Sequence, residues 1–375
     1  MSEHASLRRR LMDELAASGD LNPQWRPAFD AVPRHLFIPD LVWREERMLV
    51  PLRRSDDPAT WLKLAYANSP VITQVDDGHP IGPSLIGNEI SSSASKPTVV
   101  ARMLAALRAE PGMSVLEIGT GSGYQAALLA HRLGGRNVTS IEIDAAIVAQ
   151  ARKVLSGAAY GDVTVVTGDG AAGYMPHAPY DRVIATVGAC EVPPAWVAQT
   201  KPGGRIVLPW ATEYHNGGLL ALTVANDGTA SGGIVGNVAF MLLRDQRSRY
   251  TSLRDAIYDE DRALITSTNV HPYRVAGDYD TSFAIGVRVP RCRNVYRRPA
   301  TGDEFQLYFV DAWSRSWACL HHRPNATEYQ VRQFGPRRLW TEVESAYHWW
   351  IDAGRPPANQ WTFTVTPAGQ RIELT

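Results

Sequence analysis

The chain has 375 residues, more than one ordinary hydrophobic core accommodates, so the sequence predicts two domains. Its 38 basic and 38 acidic residues balance, and no basic stripe stands out, which argues against a nucleic-acid or membrane-surface partner. No apolar run reaches a membrane-spanning length, and none follows the arginines at positions 8 to 10, so we expect neither a transmembrane segment nor a secretory signal. Cys190, Cys292 and Cys319 share no C-x-x-C spacing. We interpret them as reduced thiols of a cytoplasmic, monomeric protein without a metal site.

Residues 1–90 are predicted to form a helical and irregular segment ahead of the central sheet. Leu7, Leu11 and Leu15 recur at helical spacing, and a second helix is predicted from Gln24 to Val32, where Pro33 ends it. Turn clusters separate short apolar runs between positions 49 and 87, so we expect irregular structure there. A further helix leads into the sheet; its apolar face consists of Val99, Val100, Met103, Leu104 and Leu107.

The first sheet strand runs from position 115 to 118 and leads through a glycine loop into a helix. Gly119, Gly121 and Gly123 have G-x-G-x-G spacing, not the G-x-G-x-x-G that accommodates a pyrophosphate. Glu117 lies two residues before the first glycine, where a carboxylate would repel phosphate and attract the ammonium of an amino-acid-like ligand. The pattern therefore favours S-adenosylmethionine (SAM) over NAD. An ordinary strand-to-helix turn is the alternative.

Two later strand ends carry acids at positions that suit the same ligand. Glu142 ends the strand from Thr139 to Ile143, 23 residues after Gly119, where nucleotide-binding sheets place a carboxylate on the ribose hydroxyls. Asp169 follows the strand from Val163 to Thr167, and a short acid there can reach an adenine amino group. The alternatives are a solvated strand-end acid for Glu142 and a turn former for Asp169.

Four further strands are predicted at 182–187, 205–209, 219–224 and 234–243. Seven strands with helices between the early ones predict a doubly wound, Rossmann-like α/β sheet, with its core at 91–248.

Residues 249–375 are predicted to form a C-terminal α+β extension that recognises the substrate. Strands are expected at 305–310 and 361–365, and a helix near 341–352. The six tryptophans of this part could line a peptide groove or form a core, and we expect core for at least half of them. They are Trp313, Trp317, Trp340, Trp349, Trp350 and Trp361.

Several segments resemble, in the same order, motifs of the protein L-isoaspartate O-methyltransferases. They are 32–39 (VPRHLFIP), 95–101 (SKPTVVA), the glycine loop, 168–170 (GDG), 179–181 (PYD) and 203–209 (GGRIVLP). The resemblance covers about residues 5–245 and implies SAM-dependent methylation of a peptide carboxylate, with S-adenosyl-L-homocysteine as the second product. It also implies an active-site serine at Ser95. The implied cofactor residues are Ser95, Thr98, Glu117, Gly119, Thr120, Gly121, Ser122, Gly123, Glu142, Ile143, Asp169 and Gly170.

The serine-rich segment from Ile90 to Pro97 departs from the ordinary family pattern. Alignment from Pro97 selects Ser95 as the active-site serine, whereas alignment from Ile90 selects Ser91; a flexible polar loop is the alternative for the other serines. The segment and the extension resemble the subgroup encoded with lanthipeptides and related ribosomal peptides. That resemblance implies methylation of an aspartate in a modified peptide, leading through succinimide to isoaspartate. A housekeeping repair methyltransferase is the alternative function.

A non-catalytic interaction protein is a third reading. It is disfavoured because Glu117, Glu142 and Asp169 are all present. Cys190 is not a candidate nucleophile, since no recognisable motif pairs it with a histidine.

Overall fold

The structure is a computed structural model that describes residues 3–247, 253–299 and 302–374. Its N-terminal part consists of helices followed by a small antiparallel sheet in the strand order β2-β1-β3-β4. The elements are α1 (Glu3–Ala17), α2 (Arg26–Ala31), β1 (Leu41–Glu45), β2 (Leu49–Arg53), α3 (Pro58–Tyr66), β3 (Val71–Val75) and β4 (Ile90–Ala94). The two predicted N-terminal helices are confirmed as α1 and α2.

One expectation for this part was wrong, and one alternative does not hold. Positions 49–87 are not irregular, because β2, α3 and β3 occupy much of this stretch. Strands of five residues show no long sequence period, and their stability comes from pairing with each other. The serine-rich segment is not a flexible loop either, because β4 pairs with β3 at the edge of the small sheet. Ser92 and Ala94 are buried, while Ser91 and Ser93 are half-buried.

The predicted doubly wound α/β sheet is confirmed. Its elements are α4 (Pro97–Leu107), β5 (Val115–Ile118), α5 (Tyr124–Leu133), β6 (Val138–Glu142), α6 (Ala145–Gly157), β7 (Thr164–Thr167), β8 (Tyr180–Ala185), α7 (Pro194–Ala198), β9 (Thr200–Trp210), β10 (Gly218–Val224) and β11 (Ala230–Asn237). Strands β5 to β9 are parallel, whereas β10 and β11 are antiparallel to their neighbours. The carboxyl ends of β5, β6 and β7 therefore meet at one edge, where ligands of such sheets bind.

The last predicted strand of this sheet, 234–243, was placed too far along the chain. Strand β11 ends at Asn237, and the following residues leave the sheet. Residues 241–243 instead bond to the loop after β8, where the Gly188 amide donates to Met241 O and the Leu243 amide donates to Gly188 O. This pairing brings 241–247 over the carboxyl edge of the sheet.

The C-terminal part contains a five-stranded antiparallel sheet of its own and adds two strands to the central sheet. Its elements are α8 (Leu253–Ala256), β12 (Leu264–Thr268), α9 (Pro272–Ala276), α10 (Tyr279–Arg288), β13 (Arg293–Arg297), β14 (Phe305–Asp311), β15 (Ser316–His322), β16 (Tyr329–Phe334), α11 (Leu339–Asp352), β17 (Trp361–Thr366) and β18 (Gly369–Leu374). The predicted strands and helix correspond to β14, β17 and α11. Strand β17 pairs with β11, so the central sheet has nine strands in the order β18-β17-β11-β10-β9-β8-β5-β6-β7.

Most tryptophans of the extension belong to its core, as expected. Trp317, Trp340, Trp350 and Trp361 are buried, with at most 8% of each side chain exposed. Trp349 is half-buried beneath the Arg288 guanidinium, and the remaining one is 55% exposed. The four buried side chains cannot line a groove that is open to a peptide. Within the described ranges, no helix combines the length and apolarity that crossing a bilayer requires.

Candidate active site

The glycine loop after β5 has the backbone geometry that its sequence predicts. Gly119, Gly121 and Gly123 have φ angles of +89°, +50° and +82°, in the left-handed region that side chains disfavour. A Cβ atom on Gly119 would lie 2.6 Å from the Thr186 hydroxyl, whereas one on Gly121 would meet nothing within 4 Å. Space is therefore open over Gly121, on the side where a ligand can approach the backbone.

Glu142 and Asp169 lie at the ends of β6 and β7 and line one cavity with the loop. Glu142 Oε2 accepts a hydrogen bond from the Gly121 amide at 3.1 Å, and its Oε1 accepts from the Ile143 amide at 2.9 Å. Asp169 Oδ1 accepts from the Ala171 amide at 2.9 Å. Each carboxylate can accept further hydrogen bonds, so backbone amides orient both acids and leave acceptor positions for a ligand.

Glu117 is fully buried beneath the loop. Ser140 Oγ donates to Glu117 Oε2 at 2.6 Å, and the Ser140 and Thr120 hydroxyls are also 2.6 Å apart. Burial raises the pKa of Glu117 to about 8. Its second oxygen, Oε1, has no hydrogen-bond partner among the described residues. A buried carboxylate with an open acceptor on a cavity wall fits the ammonium of an amino-acid-like ligand such as SAM.

The serine-rich segment supplies another part of the cavity wall. All of Ser91 to Ser95 line the cavity. The Ser91 hydroxyl donates to Gln74 Oε1 at 2.9 Å, and Gln74 Nε2 donates to Asp144 Oδ2 at 2.9 Å. The Ser95 hydroxyl makes no hydrogen bond within the described part of the chain, which leaves it available to a substrate.

Arg34 holds the backbone of this serine wall in place. The side chain is 1% exposed, and its guanidinium donates to Ala65 O at 2.7 Å, Ala94 O at 3.2 Å and Ser95 O at 3.1 Å. Arg34 lies in the motif at 32–39, but the sequence alone predicts no role for it. No local pattern shows that one arginine ties together carbonyl groups so far apart in the chain.

The structure brings most of the predicted site residues together and leaves two apart. Thr98 does not line this cavity, because its amide and hydroxyl both donate to Asn68 Oδ1, at 3.1 and 2.8 Å. Gly123 faces α6 instead, where a Cβ would lie 3.4 Å from Leu155. The others line it: Ser91, Ser95, Glu117, Gly119, Thr120, Gly121, Ser122, Glu142, Ile143, Asp169 and Gly170.

Residues 241–247 also line the cavity, and sequence reasoning missed them. Arg244 lies 3.1 Å from Asp77 Oδ1 and 3.8 Å from Asp144 Oδ2, and Arg247 lies 3.4 Å from the same Asp77 oxygen. These ion pairs connect the segment to the small N-terminal sheet and to the start of α6. Cys190 lies outside the cavity lining, and burial raises its pKa to about 11, which keeps it a thiol.

The doubly wound sheet, the open glycine loop and the acids at its strand ends together define a SAM-dependent methyltransferase. Residues 58–248 match the family model of protein-L-isoaspartate(D-aspartate) O-methyltransferase. The chain belongs to this family and is a SAM-dependent protein carboxyl O-methyltransferase.

Relatives of known sequence support this assignment. The chain is 38% identical over 216 residues to protein-L-isoaspartate O-methyltransferase 2 of a Polaromonas species, covering 58% of this chain and 85% of the relative. It is 34% identical over 236 residues to protein-L-isoaspartate O-methyltransferase of Pyrococcus horikoshii, covering 63% and 91%. A solved protein-L-isoaspartate O-methyltransferase structure aligns with a TM-score of 0.56 at 20% identity, covering 98% of this chain and 99% of that one. The fold of the extension is therefore not peculiar to this chain.

Proposed function

We propose that this enzyme transfers a methyl group from SAM to the free carboxylate of isoaspartyl residues in peptides, the alternative function named above. The observation that carries the proposal is the unbonded Ser95 hydroxyl in the cavity that the glycine loop also lines, with its backbone fixed by buried Arg34. The Polaromonas and Pyrococcus horikoshii relatives described above carry the name of this activity.

The proposed roles of the cofactor residues follow from their chemistry. Glu117 pairs with the ammonium of SAM, Glu142 accepts from its ribose hydroxyls, and Asp169 accepts from its adenine amino group. The Gly121 amide region gives the ligand close access to the backbone. Bound there, SAM supplies a methyl group on a positively charged sulfur.

Methyl transfer to a carboxylate requires positioning and no proton transfer. A peptide carboxylate is already ionised near neutral pH, so it needs no general base. Ser95 donates a hydrogen bond to one carboxylate oxygen and directs the other at the methyl carbon. Holding two reactants in line contributes about 7 to 11 kcal/mol to lowering a barrier, which makes this positioning role sufficient.

The methyl ester reacts further without additional groups from the protein. The next backbone nitrogen attacks the ester carbonyl, loses its proton and expels methanol, which closes a five-membered succinimide. Water then opens the ring to aspartate or isoaspartate.

A second proposed function is methylation of an aspartate in a ribosomally made, lanthipeptide-like peptide. The specific observation in its favour is the serine-rich segment of strand β4 and the residue after it, which places four serines, Ser91, Ser92, Ser93 and Ser95, on the cavity wall. The extension, by contrast, has a counterpart in the solved isoaspartate methyltransferase fold, and its buried tryptophans are core. We therefore place this function second.

A comparison of acceptors separates the two functions. The enzyme is incubated with labelled SAM and three peptides: a linear isoaspartyl peptide, its aspartyl counterpart, and a thioether-bridged peptide with one aspartate. Mass spectrometry follows the gain of one CH₂ and the later loss of methanol. Fastest turnover of the isoaspartyl peptide supports the first function, and turnover of the bridged aspartyl peptide alone supports the second. Transfer to none of them contradicts both.

We also propose that the protein works in the cytoplasm, where its three free cysteines stay reduced. We propose a monomer because one chain supplies the whole cavity lining described above. Light scattering during size-exclusion chromatography measures the molar mass and so tests whether the protein is a monomer.

A further inference from the structure

A second cavity, of about 710 Å³, lies between the methyltransferase core and the C-terminal part. One side is formed by the start of α4, the turn at 213–217 and residues 237–239. The other side is formed by residues of α9, α10 and β13. None of the sequence motifs pointed to this space, because its two sides are distant in the chain.

The two cavities are lined by neighbouring residues of the same two segments. Ser95 lines the SAM cavity, and Lys96, the next residue, lines the second one. At the end of β11 and after it, residues 237–239 line the second cavity and residues 241–243 line the SAM cavity. The two cavities therefore lie next to each other, on either side of the segments at 95–96 and 237–243.

The lining of the second cavity contains three cations, Lys96, Arg102 and Arg293, and two acids, Asp278 and Glu213. Arg102 pairs with Asp20 at 2.6 Å, whereas Lys96 and Arg293 are exposed and form no salt bridge within the described residues. Of the two acids, Asp278 accepts from the amide and hydroxyl of Thr281 as the cap of α10, and Glu213 is half-buried. Lys96 and Arg293 are therefore the charged groups most open to a ligand, which favours one with negative charge.

Neutral polar groups in the same lining suit a peptide backbone. Asn216 and Asn237 are exposed on the cavity wall, and each side-chain amide can both donate and accept. A peptide backbone can pair with these two exposed amides, whereas an apolar ligand would leave them without a partner.

We propose that this cavity binds the peptide segment next to the methylated residue and that Lys96 and Arg293 select an acidic side chain in it. The inference rests on the proposed peptide carboxyl methylation and adds a substrate preference to it. It also locates selectivity in polar groups of the domain boundary, away from the tryptophans.

The test uses the full-length enzyme and pairs of isoaspartyl hexapeptides that differ only by glutamate or glutamine at one flanking position. For at least one position, wild-type kcat/KM is expected to favour the glutamate peptide by about fivefold, through KM, as one partly exposed charge pair allows. Arg293→Gln is expected to reduce this preference to about one, Arg293→Lys to retain most of it, and 0.5 M salt to weaken it. Lys96→Gln is expected to weaken it as well.

Arg297→Gln is the matched control. Arg297 is exposed at the other end of the same strand, β13, but does not line the cavity, so its loss should leave the preference at the wild-type value. Equal rates for glutamate and glutamine peptides at every position, or a preference that survives Arg293→Gln, would overturn the inference while leaving the proposed function standing. Failure of the wild-type enzyme to methylate any of the peptides would overturn the proposed function and this inference with it.

Discussion

Replacing Glu117 with glutamine should weaken cofactor binding and remove most of its pH dependence. Glu117 is fully buried, and burial raises its pKa to about 8, so the ligand-free enzyme holds this carboxyl mostly protonated at neutral pH. An ammonium group binds favourably only to the ionised form. Binding must therefore release the proton from Glu117 whenever the pH lies below its pKa.

The size of the effect follows from that pKa. The apparent Kd scales with one plus the ratio of protonated to ionised Glu117, so it should fall about 50-fold between pH 6 and pH 8, which corresponds to roughly 2 kcal/mol. Above about pH 8 the ligand's own amino group begins to lose its proton, so the affinity stops rising with pH. The same raised pKa gives the opposite trend in stability. Without ligand, the contribution of Glu117 to stability is present below its unfolded-state pKa and is lost as the pH rises through its folded-state pKa.

Calorimetric titration with S-adenosyl-L-homocysteine, which carries the same ammonium, measures this linkage at pH 6, 7 and 8. Repeating each titration in two buffers of different ionisation enthalpy counts the released protons, and nearly one is expected at pH 6.5. Glu117→Gln should bind at least about tenfold more weakly at pH 8 and release almost no proton. Asp245→Asn removes an exposed acid from the same cavity lining and should keep the wild-type slope. An equal pH slope in wild type and Glu117→Gln would refute the pairing of this carboxyl with the ammonium.

Three further predictions concern single substitutions in the full-length enzyme. Glu142→Ala and Asp169→Ala should each weaken binding of S-adenosyl-L-homocysteine about tenfold or more, because a lost hydrogen bond to a charged partner costs about 1.5 to 3 kcal/mol; calorimetry checks this, and unchanged affinity in both would contradict the assignment. Ser95→Ala should lower kcat for methyl transfer while SAM affinity stays within about threefold, whereas loss of turnover in Ser91→Ala alone would identify Ser91 as the active-site serine. Trp361→Ala should lower the free energy of unfolding by about 3 to 5 kcal/mol in urea denaturation, and Trp313→Ala by less than about 1 kcal/mol, since only Trp361 is buried.

The cofactor side of the site could be predicted from sequence because its residues lie at the ends of regular elements. Parallel strands β5, β6 and β7 each end at the same edge of the sheet, so Glu117 and Glu142 near the ends of β5 and β6, and Asp169 just after β7, belong to strands whose apolar runs are visible in the sequence. The glycines mark the turn that follows β5. A short local pattern is therefore enough to place all of these residues around one cavity.

The substrate side could not be predicted in the same way because non-local contacts create it. The five-residue strands β3 and β4 carry no distinctive period, and their pairing turns a serine-rich segment into a cavity wall. Residues 241–243 were predicted as the end of a strand, yet ion pairs from Arg244 and Arg247 to Asp77, about 170 positions earlier, hold this segment over the site. Thr98 was assigned from its place in a motif, but its hydroxyl is committed to Asn68. Only the folded chain reveals such partners.

The C-terminal extension cannot be treated as a detachable specificity module. Strand β17 pairs with β11 along four residue pairs, and Phe363 and Trp361 pack with Phe283 in the core beneath the central sheet. Removing the extension would expose the edge of β11 and this aromatic cluster, so a truncated enzyme would lose activity through instability whatever the extension does for substrates. Loss of activity on truncation is therefore uninformative about selectivity. Point variants on the cavity wall, such as those of Lys96 and Arg293, change the surface that a peptide meets and leave the sheet pairing intact.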